Sequence, residues 1–152
     1  MSVPSAISLE TLKAELAVAA PYAEAAGIQL ETRGLCEDSL QFVAVFVNRD
    51  GELFPAEFDC QDYPMFPPTI EFLNSDRLER GLPWNYPSGF HTMPCICMRY
   101  NRKAHGEKGG PHGDWRLIDW QLPTPGGGAI DTIGMILSDL HAKIGASSGR
   151  LG

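Results

Sequence analysis

The sequence lacks the features of a membrane or a secreted protein. No apolar run approaches about 18 residues, the length that a membrane-spanning helix needs. Residues 1–10 have neither the positive n-region nor the apolar h-region of a signal peptide. The 152 residues include only four cysteines, so a disulfide framework is not expected. We therefore expect a reduced, cytoplasmic protein that has no membrane partner.

Positive charge is also scarce in this chain. Lys and Arg number 12 against 19 Asp and Glu, which gives a net charge of −7. A general nucleic-acid-binding protein normally presents a basic surface, so we expect no nucleic-acid partner. The chain also lacks a glycine-rich nucleotide-binding motif, and we predict no cofactor.

The remaining composition, with 43% hydrophobic and 20% charged residues, is that of an ordinary globular domain. The pattern predicts one α+β domain over residues 1–152, with flexible ends at 1–7 and 145–152. Ser8 is placed to cap a first helix that Pro21 ends or kinks. The predicted elements are that helix from residue 9, strands at 28–35, 40–47, 52–59 and 69–73, a long irregular segment at 74–128 and a helix at 129–144.

A proline-rich segment, Tyr63-Pro64-Met65-Phe66-Pro67-Pro68, follows the third predicted strand. Each proline fixes its own φ and restricts the preceding residue to extended geometry. The segment therefore predicts a stiff turn with aromatic anchors. From the residues alone, a purely structural corner and a functional surface are both open.

Two cysteines, Cys95 and Cys97, lie in a cluster that begins at His91. The thiolate is the reactive form of cysteine, and a neighbouring His or a positive environment increases its population. A cysteine in an apolar setting is more often an inert core residue. The cluster thus indicates either a nucleophile or part of the core.

Four segments occur in an order that resembles the ubiquitin-conjugating enzyme family. They are Tyr63-Pro64-x-x-Pro67-Pro68 with Ile70-x-Phe72-Leu73, then His91, then Ile96-Cys97-Met98, and finally Trp120-x-x-Pro123 before the last helix. They are similar to the family's proline-rich turn and following strand, the His of its His-Pro-Asn motif, its active-site cysteine segment and its Trp-x-Pro stretch. The resemblance implies the ubiquitin-conjugating fold, a four-stranded antiparallel meander with N-terminal and C-terminal helices.

The resemblance also implies an activity. Cys97 would carry a ubiquitin-like protein, or the C-terminal tail of a partner such as a bacterial nucleotidyltransferase, as a thioester and pass it to an amine, such as a lysine, on a protein target. The sequence is most similar to divergent stand-alone bacterial members found in antiphage-defence operons. Activation with ATP would then be the work of a separate enzyme.

The residues implied by this resemblance fall into two groups. The catalytic group is Cys97, His91, Asn101 and Asp119, and the partner-binding group is Tyr63, Pro64, Phe66, Pro67, Pro68 and Trp120. Thr92 and Met93 stand where the family has Pro and Asn, so the oxyanion donor is expected among the backbone N–H groups near Cys97 or at Asn101. Cys97, rather than Cys95, has the family's flanking residues.

Three alternatives stay open. The basic, glycine-rich loop at 101–114 is either a mobile solvated loop or a flap that offers His105 or His112 as acid–base groups. A zinc site is a rival to the prediction of no metal, since this region supplies suitable ligand types at His91, Cys95, Cys97, His105 and His112. The whole domain is alternatively a non-catalytic module that binds a ubiquitin-like tail.

Overall fold

The computed structural model describes residues 2–91 and 93–150 and has the predicted α+β class. An N-terminal helix precedes a four-stranded antiparallel sheet, and a second helix follows a long irregular segment. The elements are α1 (Ser5–Ala26), β1 (Gln29–Glu31), β2 (Gln41–Val47), β3 (Leu53–Asp59), β4 (Thr69–Phe72) and α2 (Ile133–Gly145). Within the described ranges no helix is long and apolar enough to cross a membrane.

The sheet is a simple meander in the order β1-β2-β3-β4. The hairpin between β2 and β3 closes at Asn48, whose Oδ1 accepts hydrogen bonds from the backbone nitrogens of Asp50 and Glu52. Gly51 takes the left-handed conformation that this turn needs, with φ +83°. Asp50 and Gly51 therefore lie in the turn that joins the strands predicted at 40–47 and 52–59.

One face of the sheet forms the core together with both helices. Its fully buried aromatic side chains are Phe42, Phe46, Phe54, Phe58 and Phe72. Helix α2 contributes a continuous apolar stripe to the same cluster, namely Ile133, Ile136, Leu137, Leu140 and Ile144. The segment at 74–128 adds Tyr86, Ile96, Tyr100 and Trp120 to the same buried cluster.

Helix α1 differs from its prediction at both ends. It begins at Ser5, and Ser8 is buried inside the helix, where its hydroxyl donates to the carbonyl of Tyr63 at 2.6 Å. Pro21 lies within the helix, which continues to Ala26 and ends at a left-handed Gly27. Ser8 as the cap and Pro21 as the end were therefore wrong, because a tertiary hydrogen bond engages Ser8 and the helix tolerates Pro21.

The C-terminal segment makes specific contacts beyond α2. The guanidinium of Arg150 donates to the carbonyls of Asn85 and Leu53 at 3.0 and 2.8 Å. It also lies 4.7 Å from the ring centroid of Phe54 and pairs with Glu52 at 3.2 Å. Of the two ends expected to be flexible, residues 5–7 are helical and residues up to Arg150 are packed, while Met1, Leu151 and Gly152 lie outside the described residues.

Candidate functional site

Asn101 fixes the main chain of the segment that carries the two neighbouring cysteines. Its side chain is fully buried, and its amide nitrogen donates to the carbonyl of Ile96 at 3.0 Å. Its Oδ1 accepts from the backbone nitrogens of Ile70 at 2.9 Å and Lys103 at 3.3 Å. The amide is thus already engaged in holding the peptide that precedes Cys97, and oxyanion donation by Asn101 stays a prediction.

Arg102 joins the same segment to the proline-rich turn. Its backbone nitrogen donates to Pro68 at 2.9 Å, its Nε donates to Pro67 at 3.0 Å, and its guanidinium also reaches the carbonyl of Gln61. The guanidinium carbon lies 5.5 Å from the ring centroid of Phe66. The turn and the cysteine segment are therefore held as one unit.

Trp120 closes this unit from the other side. Its indole nitrogen donates to the carbonyls of Pro64 and Met65, each at 3.1 Å, and its ring packs 6.1 Å from that of Tyr63. Tyr63, Pro67, Pro68 and Trp120 are buried, which gives these four side chains an internal packing role. Partner binding stays a prediction, and Pro64 and Phe66 are the half-buried members of the predicted group.

A groove of about 220 Å³ opens beside this unit. Its lining residues are mostly apolar or small: Cys97, Met98, Arg99, Tyr100, Trp115, Trp120, Leu122, Thr124, Gly128, Ala129 and Ile130. Among these residues, Cys97 has a nucleophilic side chain and Arg99 has a charged one. The groove thus presents one thiol and one cation among mostly apolar side chains.

The two neighbouring cysteines differ sharply in exposure. Cys95 is 1% exposed, whereas Cys97 is half-buried and lines the groove. Burial, followed by the effect of the adjacent Cys97, raises the pKa of the Cys95 thiol to about 12. Cys95 therefore stays protonated at neutral pH, which favours Cys97 as the reactive member of the pair.

The other two cysteines lie away from this groove. Cys60 is fully buried, and desolvation raises the pKa of its thiol well above the usual value. Cys36 is exposed in a turn. Cys36 is therefore a useful internal reference for any experiment on thiol reactivity.

His91 and Asp119 do not belong to the groove lining. His91 is exposed, its main chain pairs with that of Cys95, and its Nδ1 accepts from the backbone nitrogen of Met93 at 3.1 Å. Asp119 ends a short 3-10 helix, Leu117–Asp119, and pairs with Arg116 at 3.8 Å. Their predicted catalytic roles stay predictions, and the departure from the family pattern at Thr92 lies outside the described residues.

The loop at 101–114 is compact. His105 is fully buried with its Nε2 placed 2.9 Å from the carbonyl of Arg99, and His112 stacks on Trp115 with a centroid distance of 3.7 Å. Gly110 packs so closely that a Cβ there would overlap the backbone of Lys103 and Ala104. The backbone of this segment folds back on itself between Ala104 and His112, and both the mobile-loop and the flap interpretations stay predictions.

The ligands of the alternative zinc site are not assembled. In residues 2–91 and 93–150, no group of three or more His, Cys, Asp or Glu side chains is arranged to hold a metal ion. His91 is at the surface, whereas His105 is enclosed in the core of the loop.

Two residues that the sequence analysis missed connect the site to the helices. Glu15 on α1 accepts hydrogen bonds from the Tyr63 hydroxyl at 2.6 Å and from the backbone nitrogen of Ile133 at 2.7 Å. Tyr100 in the groove donates to Asp139 on α2 at 2.7 Å. Neither residue belongs to a local motif, and only the folded arrangement brings these partners together.

Comparison with protein-family models, with curated proteins and with solved structures finds no match to this chain.

Proposed function

We propose that this protein is a ubiquitin-conjugating-like transferase that accepts the activated C-terminus of a ubiquitin-like protein, or of a partner with a similar tail, as a thioester on Cys97. The observation that carries the proposal is the position of Cys97, the cysteine that lines the groove, beside a buried neighbour that stays protonated. The proposed setting is cytoplasmic bacterial antiphage defence, as in the relatives that the sequence resembles.

The proposed reaction has two steps. The Cys97 thiolate attacks the carbonyl carbon of a tail that is held as a thioester on an activating enzyme, and a new C–S bond forms. The sulfur of the activating enzyme leaves as a thiolate that takes up a proton. A neutral amine then attacks the carbonyl carbon of the Cys97 thioester, an amide forms as the C–S bond breaks, and Cys97 leaves as a thiolate that takes up the proton lost by the amine. ATP is consumed by the activating enzyme.

The wall of the groove suits an extended, small-residue tail. Gly128 and Ala129 line one side and follow Gly126 and Gly127, so bulky side chains do not narrow the groove there. Trp115 and Trp120 add apolar side chains to the same lining. A tail ending in small residues would bring its last carbonyl to Cys97, and proximity then contributes strongly to the rate.

A second function, a non-catalytic module that binds such a tail, has one observation in its favour. None of the predicted acid–base residues His91, Asp119, His105 and His112 belongs to the groove lining. A groove that holds a tail but offers no proton acceptor for an incoming amine is compatible with binding alone. The two functions share the ligand and differ in whether Cys97 forms a bond.

The test uses a synthetic peptide thioester that ends in Gly-Gly, with all proteins carrying Cys36→Ser. Intact-mass measurement without reductant is expected to show one acyl increment that dithiothreitol removes. Cys97→Ala should abolish the increment and Cys95→Ala should retain most of it. Loss of the increment in Cys95→Ala alone would reverse the assignment, and a folded protein that binds the peptide but is never acylated would support the module.

A discharge experiment separates transfer from loading. The acylated protein is mixed with free lysine at pH 8, and the loss of the acyl increment is followed over time. A transferase is expected to discharge faster to lysine than the same peptide thioester does in solution. Equal rates would leave Cys97 as an acyl acceptor without a transferase function.

A further inference from the structure

Arg99 is the charged member of the groove lining. No salt bridge to its guanidinium and no hydrogen bond from it is formed with the residues at 2–91 and 93–150. Within residues 2–91 and 93–150, the groove therefore holds a cation that no anionic side chain pairs with.

Both the side chain and the main chain of Arg99 are held in place. Its guanidinium carbon lies 5.3 Å from the ring centroid of Trp115, and Trp115 stacks on His112 with an interplanar angle of 4°. Its carbonyl lies 2.9 Å from the Nε2 of the buried His105. A guanidinium stacked on an aromatic face keeps its N–H donors directed outward and loses less conformational entropy on binding.

We propose that Arg99 is a specificity residue that binds a side-chain carboxylate in the tail of the ligand. The inference rests on the proposed function, since it concerns the ligand of the same groove. Arginine pairs with carboxylates through two parallel hydrogen bonds, which fixes position as well as charge. The ligand class is thus an extended tail with small residues at its end and an Asp or Glu shortly before them.

The spacing along the chain limits where that acidic residue lies. Arg99 follows Cys97 by two residues, so their Cα atoms are at most about 7 Å apart. An extended tail advances about 3.3 Å per residue. The acidic side chain is therefore expected roughly two to four residues before the acyl group.

The experiment measures binding and acylation separately. Peptides with a C-terminal carboxamide, identical except for Asp, Asn or Lys at the third position from the end, are titrated into Cys97→Ser protein, and tryptophan fluorescence reports binding. The Asp peptide is expected to bind about fivefold more tightly than the Asn peptide, an advantage that decreases with added salt. Arg99→Ala should remove this preference, and Arg99→Glu should shift it to the Lys peptide.

Arg49→Glu is the matched control for charge. Arg49 is exposed in the turn between β2 and β3, outside the groove lining, and its substitution changes the net charge by the same amount. It should leave the preference for Asp unchanged. Equal binding of the Asp and Asn peptides by Arg99-containing protein would overturn the proposal, as would a preference that survives Arg99→Ala.

The source of the carboxylate is tested in the same series. A peptide with alanine at the third position and a free C-terminal carboxylate should bind no better in the presence of Arg99 than its carboxamide. If only the free terminus responds to Arg99, the side-chain assignment is wrong. Since these binding results do not depend on acylation, failure of Cys97 to accept an acyl group would contradict the proposed function and leave the test of Arg99 intact.

Discussion

The side-chain amide nitrogen of Asn101 donates to the main-chain carbonyl of Ile96 at 3.0 Å and so fixes the peptide that immediately precedes Cys97. The same side chain accepts from Ile70 at the start of β4 at 2.9 Å. One buried amide thereby sets the position of the groove cysteine relative to the sheet.

Replacement of Asn101 by Ala should destabilise the protein strongly. The change leaves the buried backbone nitrogen of Ile70 without its partner and removes one of the two donors to the carbonyl of Ile96, the other being the backbone nitrogen of Met98. We expect the free energy of unfolding to fall by about 3 kcal/mol. Urea denaturation measures this, and Gln121→Ala, at an exposed position, should change it by less than about 0.5 kcal/mol. Equal stabilities of Asn101→Ala and the wild type would contradict this role.

Replacement of Glu15 by Ala should loosen the junction of α1, the proline-rich turn and α2. Its carboxylate accepts from the Tyr63 hydroxyl and from the first backbone nitrogen of α2, where a negative charge also stabilises the helix dipole. We expect the free energy of unfolding, measured by thermal or urea denaturation, to fall by about 2 kcal/mol. Glu10→Ala, at an exposed position of the same helix, is the control. If the two variants unfold alike, the junction does not contribute to stability.

Gly110→Ala should disrupt the compact loop at 101–114. A Cβ at this position overlaps the backbone of Lys103 and Ala104, whereas a Cβ at Gly113 meets nothing within 4 Å. We expect the free energy of unfolding to fall by about 1–3 kcal/mol for Gly110→Ala and to change little for Gly113→Ala. Hydrogen exchange at the amides of Gly110 and His112 should accelerate in the first variant only. Unchanged protection there would show that the loop accommodates a side chain.

The fold was more predictable than the site because its signals are local. The β-branched run in β2, the Asp-Gly turn and the apolar periodicity of α2 each depend on neighbours within a few residues. The last helix was predicted from residue 129, yet it begins at Ile133 with Thr132 as its cap, since the Thr132 hydroxyl accepts from the backbone nitrogen of Met135. Local patterns thus identify elements better than their ends.

The site depends on contacts between distant residues, which no local pattern encodes. Asn101 bonds to Ile70 and Trp120 bonds to Pro64, across 31 and 56 positions. Serine is a common helix-capping residue, but the hydroxyl of Ser8 donates to the carbonyl of Tyr63 across 55 positions. The motif residues could therefore be found from the sequence, whereas their division into packing residues and groove residues required the folded arrangement.

Stability should fall at alkaline pH through Cys95. Its pKa rises from about 9 in the unfolded chain to about 12 in the folded protein, so above pH 9 the unfolded chain releases a proton that the folded protein keeps. The stabilisation is present below pH 9 and is lost as pH rises towards 12. Between pH 7.5 and pH 10 this thiol should account for about 1.4 kcal/mol of lost stability.

The check compares the pH dependence of three proteins. Urea denaturation at pH 7.5 and pH 10 should show a smaller loss for Cys95→Ala than for the wild type, by about that amount. Cys36→Ala, which removes an exposed thiol, should lose as much stability as the wild type. An equal loss in all three proteins would mean that Cys95 ionises freely in the folded state.

The central claim is that Cys97 lies in a groove that holds a peptide tail, and alkylation of the native protein by iodoacetamide tests it most directly. The reaction is run with and without a saturating peptide that ends in a Gly-Gly-carboxamide and carries Asp at the third position from its end. Peptide mass mapping gives the rate at Cys97, with the exposed Cys36 as the internal reference. We predict that Cys97 reacts in the free protein, that the peptide slows this reaction, and that the rate at Cys36 does not change. A Cys97 that stays unmodified at pH 8 while Cys36 reacts, or one that reacts equally with and without the peptide, would contradict it.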